Sequence, residues 1–446
     1  MHDFDESAEA LARLVLQYTH ERLALDPVPL DHTRSRAELE ALAPSPIRAH
    51  GTDPADVLLL FEEVLAPAIL SVDSTRFLSF IPGAPTKASL LFDMIVSCAS
   101  LQGISWMEAS GAIHAENQAL RFLADTAGLP ETAGGVFVSG GSAANLSALA
   151  VARDTAKRDR GDERYAVAVS EQTHSSVANA MRLLELEPLV VPAVDDRLHG
   201  SALRDAVAAS TRPVCAVVAT AGSTNAGLID DLAGIAEVCR ASNLWMHVDG
   251  AYGGAGLLAP SVRDRFTGVE HADSFVVDPH KWLFAPYDCA ALLYRDPRLA
   301  RAVHTQQASY LDVLHDDPDE WNPSDYAYHL TRRARGLPLW FSLAVHGTDA
   351  YRDAVESALT LTRSTAQRIR DLAHVELVLE PELSVVVFRR LGWQPADYAR
   401  WSQQLLNDQI AFVVPTKWKH ETVLRFAFLH PNTNIDIVDE ILATLI

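Results

Sequence analysis

The chain has 446 residues, 48% of them hydrophobic and 21% charged, which is too long for one simple core and too apolar for a disordered chain. Its 37 basic and 58 acidic residues leave a formal net charge of −21, a surface that repels phosphate backbones and anionic lipid. Nucleic-acid and membrane partners are therefore not expected, and a soluble enzyme acting on a small molecule fits better.

The N-terminal segment, MHDFDESAEALARLVLQ, is acidic and amphipathic, unlike a secretory leader with its basic start and apolar run. Leu11, Leu14, Val15 and Tyr18 recur at helical spacing, and Val57, Leu60, Phe61 and Val64 repeat the pattern beyond a set of prolines. Residues 1–70 are thus expected to form a helical arm too small for its own core, packing on another surface such as a partner subunit. The most apolar stretch, Ala88 to Trp106, is broken by Asp93 and several Ser and Gly, short of the roughly 20 apolar residues a membrane span needs. Cys98, Cys215, Cys239 and Cys289 are scattered without CxxC or metal-finger spacing, so reduced thiols, no metal site and a cytoplasmic location are expected.

From about 130 to 290, short apolar runs alternate with helical ones. The strand candidates are 135–140, 165–170, 188–193, 214–220, 244–249, 274–278 and 290–295, with helices such as Ala143–Arg153, Ser201–Ser210 and Ile229–Ala241 between them. Near-continuous Val/Ala/Leu strands joined by helices predict an α/β fold: a central, mostly parallel seven-stranded sheet with helices on both faces. Ligand sites of such sheets gather where strands end. This large domain is expected over 71–337, and the acidic run LHDDPDEWNPSDY gives it a lid at about 305–335. Residues 338–446 read as a smaller α/β domain, with strands in VELVLE, SVVVFRR, AFVVP and VLRFAFL.

Two strand ends carry the chemistry. HVDGAYGG places Asp249 at the end of an apolar strand, and VDPHKWLF places Lys281 just after another. Beside Val, Pro and Trp the lysine is poorly solvated, which lowers an amine's pKa and readies it for an aldehyde cofactor. A lone lysine of this kind is more often one whose stem packs on a core edge; its partners tip the balance. A buried carboxylate at Asp249 would keep a pyridine nitrogen protonated, beside residues small enough to admit a flat ring. The strand–Gly–Gly–Ser–helix run SGGSAANLSAL offers a phosphate cradle at Gly140, Gly141 and Ser142. His174, after the strand YAVAVS, is placed to stack on such a ring. No GxxxxGK[ST] and no GxGxxG after a strand supports a nucleotide.

In combination these segments resemble the group II pyridoxal-5′-phosphate (PLP) decarboxylases, the family of aromatic L-amino acid and glutamate decarboxylases, with aspartate-aminotransferase-like (fold type I) architecture. The resemblance runs from Phe77–Pro82 through Ser105-Trp106, the Gly-Gly-Ser turn, His174-Ser-Ser, Ala219–Gly222, HVDGAYGG and DPHKW to Val423–Ala427. It implies PLP carried on Lys281, with Asp249 at the pyridine nitrogen, His174 on one ring face and Ala251 on the other. Gly141, Ser142 and His280 would hold the phosphate, and Ser223 would bring a hydroxyl near the cofactor. It further implies a homodimer with exchanged N-terminal arms, a site at the interface and a catalytic lid tyrosine, assigned to Tyr326 with Tyr328 as alternative. Asp278 adds negative charge near the phosphate. Phe80, Ile81, Gly83, Gln102 and Ile104 resemble the family's pocket wall and favour an aromatic or apolar L-amino acid, whereas Arg425 keeps an acidic substrate open. The expected reaction is loss of CO₂ to give the amine. An oxidative relative that makes an aldehyde and a silent PLP-binding regulator are the rivals.

Overall fold

The computed structural model describes residues 2–309, 311, 314, 317 and 320–446. Three helices open the chain: α1 (Glu6–Ala24), α2 (Arg36–Leu42) and α3 (Pro54–Leu60). Each starts at a side-chain cap. Asp5 accepts from the Ala8 N–H, Ser35 forms a reciprocal box with Glu38, and Asp53 accepts from the Ala55 N–H ahead of a proline-started turn. None of the three buries a residue within this chain, and α1 leaves Leu11, Val15 and Leu16 exposed.

The central sheet follows α4 (Lys87–Cys98) and α5 (Trp106–Thr126). Its strands and helices alternate as β1 (Gly134–Val138), α6 (Gly141–Arg160), β2 (Ala166–Val169), α7 (Ser175–Leu183), β3 (Glu187–Val190), α8 (Gly200–Ala209), β4 (Val214–Thr220), α9 (Leu232–Ser242), β5 (Trp245–Asp249), β6 (Ser274–Val277), β7 (Ala290–Tyr294) and α10 (Pro297–His304). The seven strands lie in the order β1-β7-β6-β5-β4-β2-β3, with β7 antiparallel to both its neighbours and the other contacts parallel. Strands buried on both faces need no polar alternation, and β4, VCAVVAT, is buried at all seven positions. Successive residues feed opposite cores. Phe137, Val217, Val248 and Leu293 pack on one side, and Val136, Val138, Val218 and Leu292 pack on the other with Ala144, Ala148 and Val177 of α6 and α7.

The long helix α11 (Leu337–Arg370) starts with Pro338 in its first turn and breaks its helical backbone at Gly347. Beyond it come β8 (Val375–Leu377), β9 (Val385–Arg390), α12 (Pro395–Asn407), β10 (Thr416–Trp418), β11 (Glu421–Ala427) and α13 (Ile435–Ala443), with an antiparallel sheet in the order β10-β11-β9-β8. The expected strand in AFVVP is absent. Phe412 instead exchanges backbone hydrogen bonds with Arg76 and Leu78, and Val414 N–H goes to Ser79 Oγ, so this run is held by the 76–79 segment rather than a sheet edge. The fourth strand is the polar β10, turned into β11 by Lys419 and His420, both at positive φ.

Because β1, β2, β4, β5 and β6 run parallel, their carboxyl ends share one edge, and the loops leaving them meet there.

Candidate active site

A cavity of about 370 Å³ opens at that edge. The loop after β1 brings Ser139 to Ser142, and the loop after β2 brings Gln172 and His174. Thr220 ends β4 and Gly222 and Thr224 follow it, Asp249 ends β5 and Ala251 and Tyr252 follow it, and Asp278, His280, Lys281 and Tyr287 follow β6. Asn145 of α6 and Ser176 of α7 close the wall.

One end of the cavity is the start of α6. Gly140 is extended, and Gly141 begins the helix with its N–H turned to Asp278 Oδ2 at 3.3 Å. Unpaired N–H groups at a helix start favour an anion, and here the anion is the buried Asp278 carboxylate. The same oxygen lies 2.9 Å from Lys281 Nζ and 3.7 Å from His280 Nε2, while Asp278 Oδ1 has no hydrogen-bond partner. Burial pulls the Lys281 ammonium down, but Asp278, with help from Asp249 and Tyr287, outweighs it and holds the amine above its usual range. This reverses the sequence expectation, because the partner three residues away decides the charge and not the apolar neighbours. Burial likewise lowers His280, and there Asp278 does not compensate, so the imidazole is neutral at pH 7. Its ring stands 4.9 Å from Tyr287, whose hydroxyl accepts the Gly83 N–H at 3.2 Å. Only glycine fits at 83, since a Cβ would come within 2.6 Å of the His280 carbonyl oxygen.

Asp249 marks the other end. Its Oδ1 accepts the Ala251 N–H at 3.1 Å, and its Oδ2 accepts Asn145 Nδ2 at 3.0 Å. These bonds fix a carboxylate only 7% exposed at the strand end. His174 caps α7, where its Nδ1 accepts the Ser176 N–H at 3.3 Å and lies 2.8 Å from Ser176 Oγ. The ensemble suits a flat, cationic heteroaromatic ring with an anionic arm. A carboxylate waits at one end and helix N–H groups at the other, with an imidazole and a methyl along the walls and an amine within the cavity. PLP has that shape and charge.

Of the residues named from sequence, Lys281, His174, Asp249, Ala251, Gly141, Ser142 and His280 come together in this cavity. Gly140 and Asp278 line it too, whereas Ser223, Phe80, Ile81, Gly83, Gln102, Ile104 and Arg425 do not. Ser223 turns its hydroxyl to the Leu228 N–H at 3.2 Å, and the neighbouring Thr224 faces the cavity instead. Gln102 bonds Glu108, Ile104 is buried, Phe80 is 60% exposed, and Ile81 packs on the main core. Arg425 spends its guanidinium on the Thr224 and Phe80 carbonyls at 2.7 Å each.

Tyr326 lies outside this lining too. It is 4% exposed and stacks 4.1 Å from Trp321, which lies over Gly134, so it is held in the core beside β1. Tyr328 is 53% exposed and outside the cavity lining, while seven residues of the expected lid, Tyr310 among them, lie outside the described residues. Sequence reasoning missed Asn145, Gln172, Thr224 and Tyr287. Asn145 alone carried a signal, as the polar residue one turn after Gly141 in an Ala/Leu-rich helix.

The sequence model described as the pyridoxal-dependent decarboxylase conserved domain matches residues 37–391. An aromatic-L-amino-acid decarboxylase of Bacillus atrophaeus is 30% identical over 409 residues, covering 87% of this chain and 84% of that one. An L-2,4-diaminobutyrate decarboxylase of Rhizobium meliloti (strain 1021) is 33% identical over 372 residues, covering 79% and 74%. In structure, the chain is similar to Oryza sativa TDC crystallised with PLP and tryptamine, at TM-score 0.91, 24% identity and coverage of 100% and 99%. With the cavity, its lysine and its carboxylate in place, the chain belongs to the pyridoxal-dependent decarboxylase family and is a PLP-dependent amino-acid decarboxylase.

Proposed function

We propose that the chain decarboxylates an L-amino acid with an aromatic or apolar side chain, releasing the corresponding amine. The observation that carries this is the cavity's charge. Among the described lining residues Lys281 is the only lysine or arginine, and the nearby Arg425 is already bound to two carbonyls. An acidic side chain would lack a cation of its own, whereas Tyr287 offers a ring at the rim. The two relatives named above, one aromatic and one diaminobutyrate decarboxylase, are both consistent with a substrate that is not a dicarboxylic acid.

PLP, when bound, supplies the electron sink that lets the substrate carboxylate leave as CO₂. The chain's own residues do the rest. Asp249 holds a proton at the pyridine nitrogen, supported by the Ala251 N–H and the Asn145 amide. The N–H groups of α6 and Ser142 would take the phosphate, Lys281 would be the covalent carrier, and His174 and Ala251 would hold the ring. Gly83 and Tyr287 tie the 80–83 segment to the site, which makes Phe80 and Ile81 candidates for its rim.

We further propose that the working form is a homodimer with its sites at the interface, so that the exposed Gln102 serves the partner's pocket. A 19-residue helix with no buried residue, together with exposed Leu91 and Ile95 of α4, supports a covered surface of this kind. No helix among the described residues is long and apolar enough to cross a membrane.

Incubation with each L-amino acid, followed by assays for CO₂, amine and peroxide, tests the proposal. CO₂ with amine from an aromatic or apolar substrate is expected. Turnover of glutamate alone would overturn the substrate class, and CO₂ with peroxide and aldehyde would replace simple decarboxylation with the oxidative reaction.

A further inference from the structure

Behind the cavity wall lies a chain of buried polar groups with Asn145 at its centre. Asn145 is 1% exposed, and its one amide makes three hydrogen bonds. Nδ2 donates to Asp249 Oδ2 at 3.0 Å and to Ser176 Oγ at 2.9 Å, and Oδ1 lies 2.8 Å from His247 Nε2. Ser176 Oγ in turn lies 2.8 Å from His174 Nδ1. On the far side His247 Nδ1 lies 2.8 Å from Ser274 Oγ, which accepts the Trp245 indole N–H at 2.8 Å.

Counting protons fixes every direction in this network. Asn145 Oδ1 can only accept, so His247 Nε2 carries a proton. Burial keeps His247 neutral, so its Nδ1 is bare and takes the Ser274 hydroxyl proton. Flipping the amide would set an oxygen against the Asp249 carboxylate, and the carboxylate forbids it. Both amide protons are thus committed, one to Asp249 and one to the Ser176 oxygen. The Ser176 hydroxyl proton is then free for His174 Nδ1, which also receives the Ser176 N–H. With Nδ1 accepting twice, the ring proton of neutral His174 resides on Nε2.

We propose that Asn145 is the shared positioning residue of this site: it holds the Asp249 carboxylate directly and, through Ser176, sets His174 as a neutral Nε2–H donor toward the cavity. One side chain therefore governs the group at the ring nitrogen and the group on the ring face. It follows that His174 offers substrate or cofactor a hydrogen bond from Nε2 and does not act there as a base. The assignment rests on the cofactor site proposed above.

The test is ¹⁵N NMR of histidine-labelled protein, with and without PLP, with His174 identified by its loss in His174→Gln. Wild type should show a bare Nδ1 and a protonated Nε2 for neutral His174. Asn145→Asp replaces the amide donor with an acceptor, so the Ser176 hydroxyl turns toward residue 145 and His174 Nδ1 keeps only the Ser176 N–H. The Nδ1 resonance should shift with loss of that hydroxyl bond, and PLP affinity should fall by about tenfold or more through loss of the bond to Asp249. A protonated Nδ1 in wild type overturns the proposal, as does an Nδ1 resonance unmoved in Asn145→Asp. Should that variant fail to fold, the wild-type spectrum still decides the tautomer, and PLP titration of Asn145→Ser decides the Asp249 half. Undiminished affinity there would overturn it. Borohydride labelling of wild-type Lys281 separates the two levels: a label without the expected tautomer sinks only the role of Asn145, whereas no label sinks the cofactor site beneath it.

Discussion

The ion pair between Glu116 of α5 and Arg332 gives a stability prediction with a definite size. The side chains are 3% and 1% exposed and meet through two bonds, Nη1 to Oε2 at 2.8 Å and Nη2 to Oε1 at 2.7 Å. Arg332 Nη1 also reaches the Gly103 carbonyl, and Glu116 Oε1 accepts the Gly336 N–H, so the pair joins α5, the 102–104 segment and the start of α11. Glu116→Gln turns an acceptor into a donor facing the guanidinium and leaves a buried charge unpaired, at a cost of about 3–5 kcal/mol. The double change Glu116→Leu with Arg332→Met removes both charges together and should return most of that loss, since a buried pair and a well-packed apolar pair are of similar worth. Urea unfolding of the PLP-free protein, held at one concentration, measures the cycle. A loss below about 1 kcal/mol in Glu116→Gln, or a double variant as weak as the worse single one, would refute the view that these charges are desolvated.

Other outcomes follow from the site and its surroundings. Asp278→Asn removes a carboxylate from the start of α6 and releases Lys281 from its partner, so PLP should bind tighter by roughly tenfold at pH 7.5, read by absorbance titration; equal or weaker binding contradicts the phosphate assignment. Tyr326→Phe should keep kcat within about twofold because its ring is packed on Trp321, whereas one of Tyr310→Phe and Tyr328→Phe, at the other two tyrosines of the 305–335 segment, should lose about a hundredfold or more if the segment supplies the proton donor. Asp230, held by the Thr220 and Leu198 N–H groups, is pushed up to about 6 by burial, so its contribution is full below the ordinary carboxylate range and is lost as pH rises through 6. His247, pushed down to about 4 by burial, has the opposite slope, losing stability as pH falls from 6.5 toward 4. Asp230→Asn should therefore steepen the rise of the PLP-free melting temperature between pH 4 and 6; a shallower rise would contradict the assignment.

The sheet was legible because strands covered on both faces write themselves as unbroken Val, Ala and Leu. Asp249 and Lys281 were legible for the related reason that a charged residue ending such a strand must face the site edge. What the sequence could not carry were contacts made at a distance. The charge state of Lys281 depends on where Asp278 points, and a run of apolar neighbours argued the wrong direction. Ser223 and Thr224 are adjacent hydroxyls in a turn, and only the Leu228 N–H decides which one turns away. A tyrosine after an aspartate in an acidic run reads as a lid residue until Trp321, laid over a side-chain-free Gly134, draws it into the core. β10 escaped notice because a polar edge strand turning at Lys419 and His420 lacks the glycine or asparagine that announces a hairpin.

The claim on which the rest depends is that Lys281 carries the cofactor, and borohydride reduction of the PLP-loaded protein followed by peptide mapping tests it most directly. One pyridoxyl group per chain, on the peptide containing DPHKW and absent from Lys281→Ala, is the expected result. A label on Lys87, Lys157, Lys417 or Lys419, or a protein whose spectrum PLP does not change, would contradict it.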